Sequence, residues 1–584
     1  MRFLFLPAIF LRNIPQIGAR PGAVARCCSR VLRAGTVLCG ILACWPLAAQ
    51  ELLPSTRFYQ GDFYRERFDT KLPRVDLEPP TRLSDFQIDG KLEFSLRSYL
   101  ELVLANNTDM QVQKLSVEVQ RNAITRAFAP FDPVVTANFN ATRSETPTDT
   151  ALAGAVTLSQ LSQPYGIRYL QTLESGTQYS AGFDGVRTTT NNSFATFNPN
   201  ITGNFRLSFS QPLLRNRGLY INRLPIMVAR SRYRQSQYNM QDQIMRLLNQ
   251  AELAYWSVIE AREALKVQEQ GLALQDALLK RSQRELELGA ISALEIYRPQ
   301  QSYATAEIQV TQARYRLQQA EDVLRRQISA DLDPAFRNMP LVLTESTLPP
   351  QDDRPLDKEA HVETAYRMRP DLKSSLQALD IDDLNFQSAK NRIQPDLALT
   401  GTYNSAGRGG NSVTRTNVFV GDGRTSAITR IIPGGFGDTL GQVFGFDFPA
   451  YGFGLTLRLP LRDRAGTADL ADATINKRLN SLRARSLEQQ IRQEVLNAVT
   501  QVENSRASVR LAQVALDFSQ KNVDAETKRY DLGVTTIFFL LDAQTALTNS
   551  QANLVTQSVQ YRRNLLTLLR VTGQLLEERG VTVE

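Results

Sequence analysis

From Ala468 to Asp531 the chain runs without a glycine or a proline, and no other feature limits its fold so strongly. Leu487, Ile491, Val495, Ala498, Val502 and Val509 recur through it at the steps of one helix face. A helix of that length reaches roughly 90–100 Å at 1.5 Å per residue. No globular core has room for such a rod, so it must lie side by side with others, as coiled coils do. A second rod covers about Leu219 to Glu287, interrupted only by Pro225 near its start and by Gly271. Its apolar stripe is Ile244, Leu247, Leu248, Ala251, Ala254, Tyr255, Val258 and Ile259.

Each rod ends on the same signal. Leu288-Gly289 and Leu532-Gly533 stop the helix, because glycine readily takes the left-handed conformation that closes a helix end. Ser292 and Thr536 follow where a side-chain oxygen can cap the next helix. The returning helices run to about Ser329 and Val571, which makes two antiparallel helical hairpins with tight tips. Past the second tip, Phe538, Phe539, Leu540 and Leu541 stand beside Asp542. On a helix, Phe538, Leu541 and Thr545 share one face, and Phe539, Asp542 and Ala546 share another. Either the Phe538 face packs between hairpins while the Phe539 face stays open, or all four apolar residues are plain core.

At 584 residues the chain exceeds one compact core, so two domains or an elongated architecture is expected. Residues 1–49 hold six of the 67 basic residues and no acid, so the remainder carries 61 basic against 59 acidic. No basic stripe interleaved with aromatics appears, and nothing recommends a nucleic-acid partner. Arginines followed by the apolar run "AGTVLCGILACWPLAA" form an export signal. "LAA" before Gln50 suits ordinary signal peptidase, whereas "ILAC" ending at Cys44 is a lipobox that would leave a lipidated cysteine. All four cysteines, Cys27, Cys28, Cys39 and Cys44, lie in this leader, and His361 is the sole histidine. Disulfides, thiolate chemistry, histidine triads and multi-histidine metal sites are therefore not expected in the mature chain. Beyond the leader no apolar run reaches membrane-helix length.

Four segments alternate apolar and polar residues: 133–142, 201–210, 396–404 and 451–459. Phe205, Leu207 and Phe209 alternate with Asn204, Arg206 and Ser208, for example. Such alternation fits either strands that cross an outer membrane around a watery lumen or a half-buried soluble sheet. "QYSAGFDGVRT" at 178–188 can add a strand, and the Gly-, Thr- and Asn-rich stretches 143–200 and 405–450 read as surface loops. A membrane barrel needs at least eight strands, so four per chain require several chains.

The order of these parts occurs twice. Glu101, Asp109, Ala127 and Pro133 match Glu363, Asp371, Ala389 and Pro395; Pro212, Leu213 and Gly218 match Pro460, Leu461 and Gly466. Leu288, Gly289 and Gln300 match Leu532, Gly533 and Gln544. A duplication explains this, with its joint in the Pro- and Asp-rich "LTESTLPPQDDRPLD" at 343–357. The expected divisions are a leader at 1–49, an extended segment at 50–93, and repeats at 94–334 and 357–574. A linker at 335–356 and a tail at 575–584 complete the chain.

The duplicated order, with "ANNTDM" and "RPDL" before each first strand, "SQPLL" and "LPL" closing each second strand, and "LGAIS" and "LGVTT" at the tips, resembles the TolC-like outer-membrane efflux proteins. The resemblance covers about residues 94–574. It implies an α+β chain of coiled-coil hairpins with four membrane strands, closing as a homotrimer with a twelve-stranded barrel in outer-membrane lipid and a helical tunnel in the periplasm. It implies a passive duct fed by an inner-membrane transporter through a periplasmic adaptor, in efflux or type I secretion. By the same likeness Phe539 and Asp542 stand at a lumen gate, Phe539 replacing an acid. Glu295 and Tyr530 stand at inter-hairpin contacts, and Thr535 stands where some members carry a linking arginine. Gly289, Ala290, Ile291, Ser292, Gly533, Val534, Thr535 and Thr536 form the adaptor-docking tips.

Rival readings fit less of the chain. "GRGGN" at 407–411 and "PGGFGDTLG" at 433–441 lack the Lys-Ser/Thr of a phosphate loop and precede no clear helix, so they read as loops. No catalytic, cofactor-binding or metal-ligating residues are expected. A periplasmic adaptor or a coiled-coil scaffold accounts for rods, but not for two hairpins, four alternating strands and a duplication.

Overall fold

A computed structural model describes residues 83–88, 90–148, 155–289, 291–330, 334–346, 355–415 and 428–581. The leader with Cys44, and Ala290 at the first tip, lie outside these residues. The first repeat opens with β1 (Gln87–Ile88), β2 (Lys91–Phe94), α1 (Leu96–Asn106) and α2 (Thr108–Ala127). It continues through five strands, β3 (Val134–Phe139), β4 (Thr142–Pro147), β5 (Thr157–Thr172), β6 (Gln178–Thr190) and β7 (Phe197–Pro212). The hairpin of α3 (Leu219–Glu287) and α4 (Tyr297–Gln327) follows, and then β8 (Leu341–Leu343). The second repeat has α5 (Lys358–Met368), α6 (Pro370–Arg392), β9 (Asp396–Arg415), β10 (Ile428–Ile432), α7 (Phe436–Gly445) and β11 (Pro449–Arg458). It ends in the hairpin α8 (Arg464–Asp531) and α9 (Ile537–Thr572), with the short α10 (Leu575–Glu578) behind it.

The rods form where the periodicity places them. The apolar stripe of α3 is buried at Ile244, Leu248, Ala251, Tyr255, Val258 and Ile259, against Leu92, Phe94, Tyr99, Leu324 and Leu566. That of α8 is buried at Ile491, Val495, Val499 and Val502, against Val362, Leu372 and Leu568. Burial pushes the Tyr255 phenol up to about 12, while its hydroxyl donates to the Phe94 carbonyl at 3.2 Å. The strand β8 lies inside the segment expected as a linker and pairs in parallel with β2. The tail packs as well: Leu575 is fully buried, and Arg579 meets the buried Glu252 carboxylate of α3 through Nη2 at 2.7 Å and Nε at 3.1 Å.

The two repeats break their first helix at matching places. Asn107 accepts the Asp109 amide at 2.9 Å and starts α2. Arg369 stands at the equivalent break, with Pro370 beginning α6, where a missing N–H costs nothing. Its guanidinium is largely buried and grips Asp371 at 3.0 and 2.6 Å and Glu494 of α8 at 2.7 Å.

The sheet corrects the expected strand count. Six strands lie side by side in the order β3, β5, β6, β7, β9, β11, all antiparallel, with β4 extending the β3 edge and β10 the other. Among the described residues the sheet thus sets six strands side by side where four alternating segments were expected. Among the described residues of 143–200, expected as a surface loop, lie most of β4, all of β5, β6 (the strand that 178–188 could add) and the start of β7, and those of 405–450 complete β9 and supply β10 and α7. Paired residues share a face. Ala137, Ile167, Phe183 and Phe205 thus line up across one face, and Asn138, Gly166, Asp184 and Asn204 across the other. The first face carries Phe139, Ile167, Leu207, Phe209, Tyr451, Phe453, Leu455 and Leu457, all exposed. The second carries Thr136, Arg168, Ser180, Arg206, Thr400 and Arg408.

The glycine-rich pieces are not loops. "GRGGN" lies within β9, and "PGGFGDTLG" does lead into a helix, α7, whose Thr439 and Val443 are buried on the sheet. A Cβ on Gly407 or Gly409 would collide with backbone at or beside α7, so these glycines let the helix lie close. Among the described residues no helix is long and apolar enough to cross a membrane.

Candidate functional site

The hairpin tips come together at one end of the rods. Gly533 has φ 68°, its amide donates to the Tyr530 carbonyl at 3.0 Å, and the Val534 amide donates to the Arg529 carbonyl at 3.0 Å. This double bond is the Schellman closure, and its left-handed residue is the reason for glycine. Gly289 has φ 73°, and its amide donates to the Leu286 carbonyl in the same way. Nothing lies within 4 Å of where a Cβ would stand on either glycine.

The caps differ from expectation. Thr536 occupies the N-cap of α9 in an extended conformation, but its side chain makes no capping bond. Ser292 accepts the Leu294 amide at 3.3 Å, and α4 begins five residues later at Tyr297. An extra turn therefore intervenes at the first tip, and Ser292 closes that turn instead of capping the helix. Ser292, Val534 and Thr536 are exposed, while Ile291 and Thr535 are half-buried.

Between the tips lies a groove of about 680 Å³ lined by Arg281, Glu285, Ile291, Glu295, Arg298, Tyr530, Thr535 and Phe538, among others. Tyr530 donates to Glu285 Oε2 at 2.8 Å across the two hairpins. Within the chain its carboxylate partner is thus Glu285 of α3, with Glu295 further along the same groove. Arg281 binds Glu285 at 2.9 Å and Asp531 at 2.7 Å, and its guanidinium carbon sits 4.8 Å above the Tyr530 ring. Burial, and then the bond to Glu285, push the Tyr530 phenol up to about 12. Hydrogen bonds to both carboxylates hold the Arg281 guanidinium above its ordinary value. No local signal in the sequence marks Glu285 or Arg281, because their pairing depends on how the two rods are set against each other.

The apolar run splits. Leu540 and Leu541 are buried against Leu278 of α3, so they are core. Phe538 is 47% exposed and lies under Arg298, whose guanidinium carbon is 4.8 Å from its ring. Phe539 is 54% exposed, and Asp542 and Ala546 on the same face are exposed with it. Deeper along the rods Gly271 lies against Thr548, and Gln275 donates to Gln544 at 3.3 Å.

The fold of two hairpins joined to a sheet has counterparts among known proteins. The outer membrane efflux protein family matches residues 99–329 and 362–574. The outer membrane efflux protein BepC of Brucella suis is 20% identical over 489 residues, covering 84% of this chain and 87% of its own. A membrane protein of Pseudomonas aeruginosa superposes with a TM-score of 0.57 at 18% identity, over 82% of this chain and 90% of that one. The Campylobacter jejuni CmeC outer membrane channel does so with 0.55 at 15%, over 86% and 90%. An adaptor or scaffold reading is not favoured by these likenesses. With the family's profile spanning both repeats, the chain belongs to the outer membrane efflux protein family, the channel components that tripartite export systems place in the outer membrane.

Proposed function

We propose that three copies of this chain form a passive duct, a membrane barrel continued by a periplasmic helical tunnel. The observation that carries this reading is the pair of uncovered edges on a two-faced sheet. Among the described residues β3 and β11 have no outer neighbour, and copies of the chain can pair them. The rods support it: Ile308, Tyr315 and Val323 on α4 and Leu511, Val514 and Phe518 on α8 are exposed at near-heptad steps, as helices awaiting neighbours are. Where α7 does not cover it through Phe436 and Phe444, the apolar face of the sheet meets outer-membrane lipid, and the face with Arg168, Arg206 and Arg408 lines the lumen.

In this reading Gly289, Ala290, Ile291, Ser292, Gly533, Val534, Thr535 and Thr536 receive the periplasmic adaptor, which links the duct to an inner-membrane transporter. Phe539 and Asp542 face the narrow end of the lumen, while the Tyr530, Glu285 and Arg281 cluster holds the hairpins shut. The leader is removed or lipidated at Cys44, and the repeats divide at 94–334 and 357–574. The chain supplies no catalysis of its own, since a duct moves what the transporter delivers. Sedimentation of the detergent-extracted protein tests the assembly: a mass of three chains is expected, and a stable monomer or dimer contradicts it.

A further inference from the structure

We infer that the β5–β6 ribbon is a third pair of membrane-wall strands, so that a three-chain barrel closes eighteen strands and opens an exit about half again as wide as twelve would. The inference rests on the trimeric reading for the total, and on the sheet itself for the six strands per chain.

Three observations carry it. First, the ribbon is bonded into the sheet on both sides, from Thr172–Gln178 at its turn to Gln160–Thr190 at its far end. Its strands of 16 and 13 residues exceed the ~9–11 that cross a membrane. Second, it keeps the sidedness of its neighbours at the same height. Ile167 and Phe183 stand beside Ala137 on the apolar face, and Arg168 and Asp184 lie on the polar one. On that face Tyr165, Phe183 and Phe205 meet Phe436 and Phe444 of α7, whereas Ile167 beside Ala137 stays exposed, as Leu207 and Phe209 of β7 do. Third, the turn at 173–177 is tied to the helical end of the barrel. Glu174 pairs with Arg223 of α3, Thr177 bonds Gln211 of β7, and the Gly218 amide donates to the Ser175 carbonyl at 3.3 Å. The ribbon therefore runs the full height of the wall.

Barrel diameter grows roughly linearly with strand number, and at about 16–18 strands the interior is an open aqueous channel. The exit of this duct is thus wide enough for solutes that a twelve-stranded wall would hold back. Arg168 and Asp184 of the ribbon join the lumen surface.

Paired cysteines test it cleanly, because residues 50–584 contain none. Ala137 and Phe205 lie level but three strand spacings apart, about 14 Å, beyond the ~4 Å Cβ reach of a disulfide. In outer membranes under mild oxidation, Ala137→Cys with Ile167→Cys should cross-link within the chain, and Ala137→Cys with Phe205→Cys should not. Cross-linking of the second pair in place of the first overturns the proposal, since β3 would then pair β7 directly. End-on electron cryo-microscopy of the wild-type assembly counts the total. Eighteen strands in a trimer support the inference, and twelve in a trimer overturn it while leaving the trimer intact. Another chain number overturns the assembly and the count of eighteen, and the cysteine pairs still judge the ribbon.

Discussion

Replacing Tyr530 by phenylalanine removes one oxygen from the tip cluster and leaves the ring under Arg281. The lost bond is 2.8 Å long and ends on a carboxylate. Bonds to charged groups contribute about 1.5–3 kcal/mol. The Glu285 side chain is 23% exposed and keeps Arg281, so the lower end applies, about a 13-fold change at 1.36 kcal/mol per tenfold. Three copies opening together would make this about 4.5 kcal/mol. In planar bilayers the Tyr530→Phe channel should therefore open at least ten times more often than wild type, with unchanged mass in detergent. The phenol titrates near 12, above its ordinary value of about 10. Its contribution is then whole below about 10 and lost as pH rises through about 12, so wild-type gating should be flat across neutral pH. Unchanged opening in Tyr530→Phe, with Glu285→Gln also silent, would refute the closing role of this cluster.

Three further outcomes are expected. Gly533→Val forces a left-handed backbone on a branched residue, at about 1–2 kcal/mol or more, and should weaken adaptor co-purification without dissolving the trimer; undiminished binding contradicts the docking role. Asp542→Asn should lower cation preference in reversal-potential measurements, and Phe539→Ala should raise the resting conductance; if neither changes, this face does not line the lumen. Burial alone would raise the Asp371 carboxyl, but its bonds to Arg369 outweigh that and hold it low. Its stability contribution is thus full above about 4 and lost as pH falls further. Asp371→Asn should cost about 2 kcal/mol in neutral melting, and that difference should shrink in acid.

The rods and tips were legible because period and glycine act locally: α3 spans Leu219–Glu287, the run between Gly218 and the Leu288-Gly289 stop, and Leu532-Gly533 closes as a left-handed turn. The β5 strand was not. Its wall alternation is short, Tyr165, Ile167 and Tyr169 against Gly166, Arg168 and Leu170, and Pro164 precedes it. Proline tells against a central strand, but Pro164 lies where β3 yields to β4, and its carbonyl still accepts the Asn140 amide at 3.0 Å. Helix α7 was hidden by glycines that usually mark loops and here let helix and strand lie close. Glu285 and Glu494 were invisible for another reason. Each meets its partner across a distance in sequence of more than a hundred residues, at a register set by rod packing.

The most direct test is electrical. Purified protein added to one side of a planar bilayer, with neither nucleotide nor partner proteins, should insert as discrete channels with small resting steps, and Tyr530→Phe should enlarge or prolong them. A detergent-extracted trimer that never produces discrete steps, in wild type or variant, would contradict the account of this chain as a passive duct.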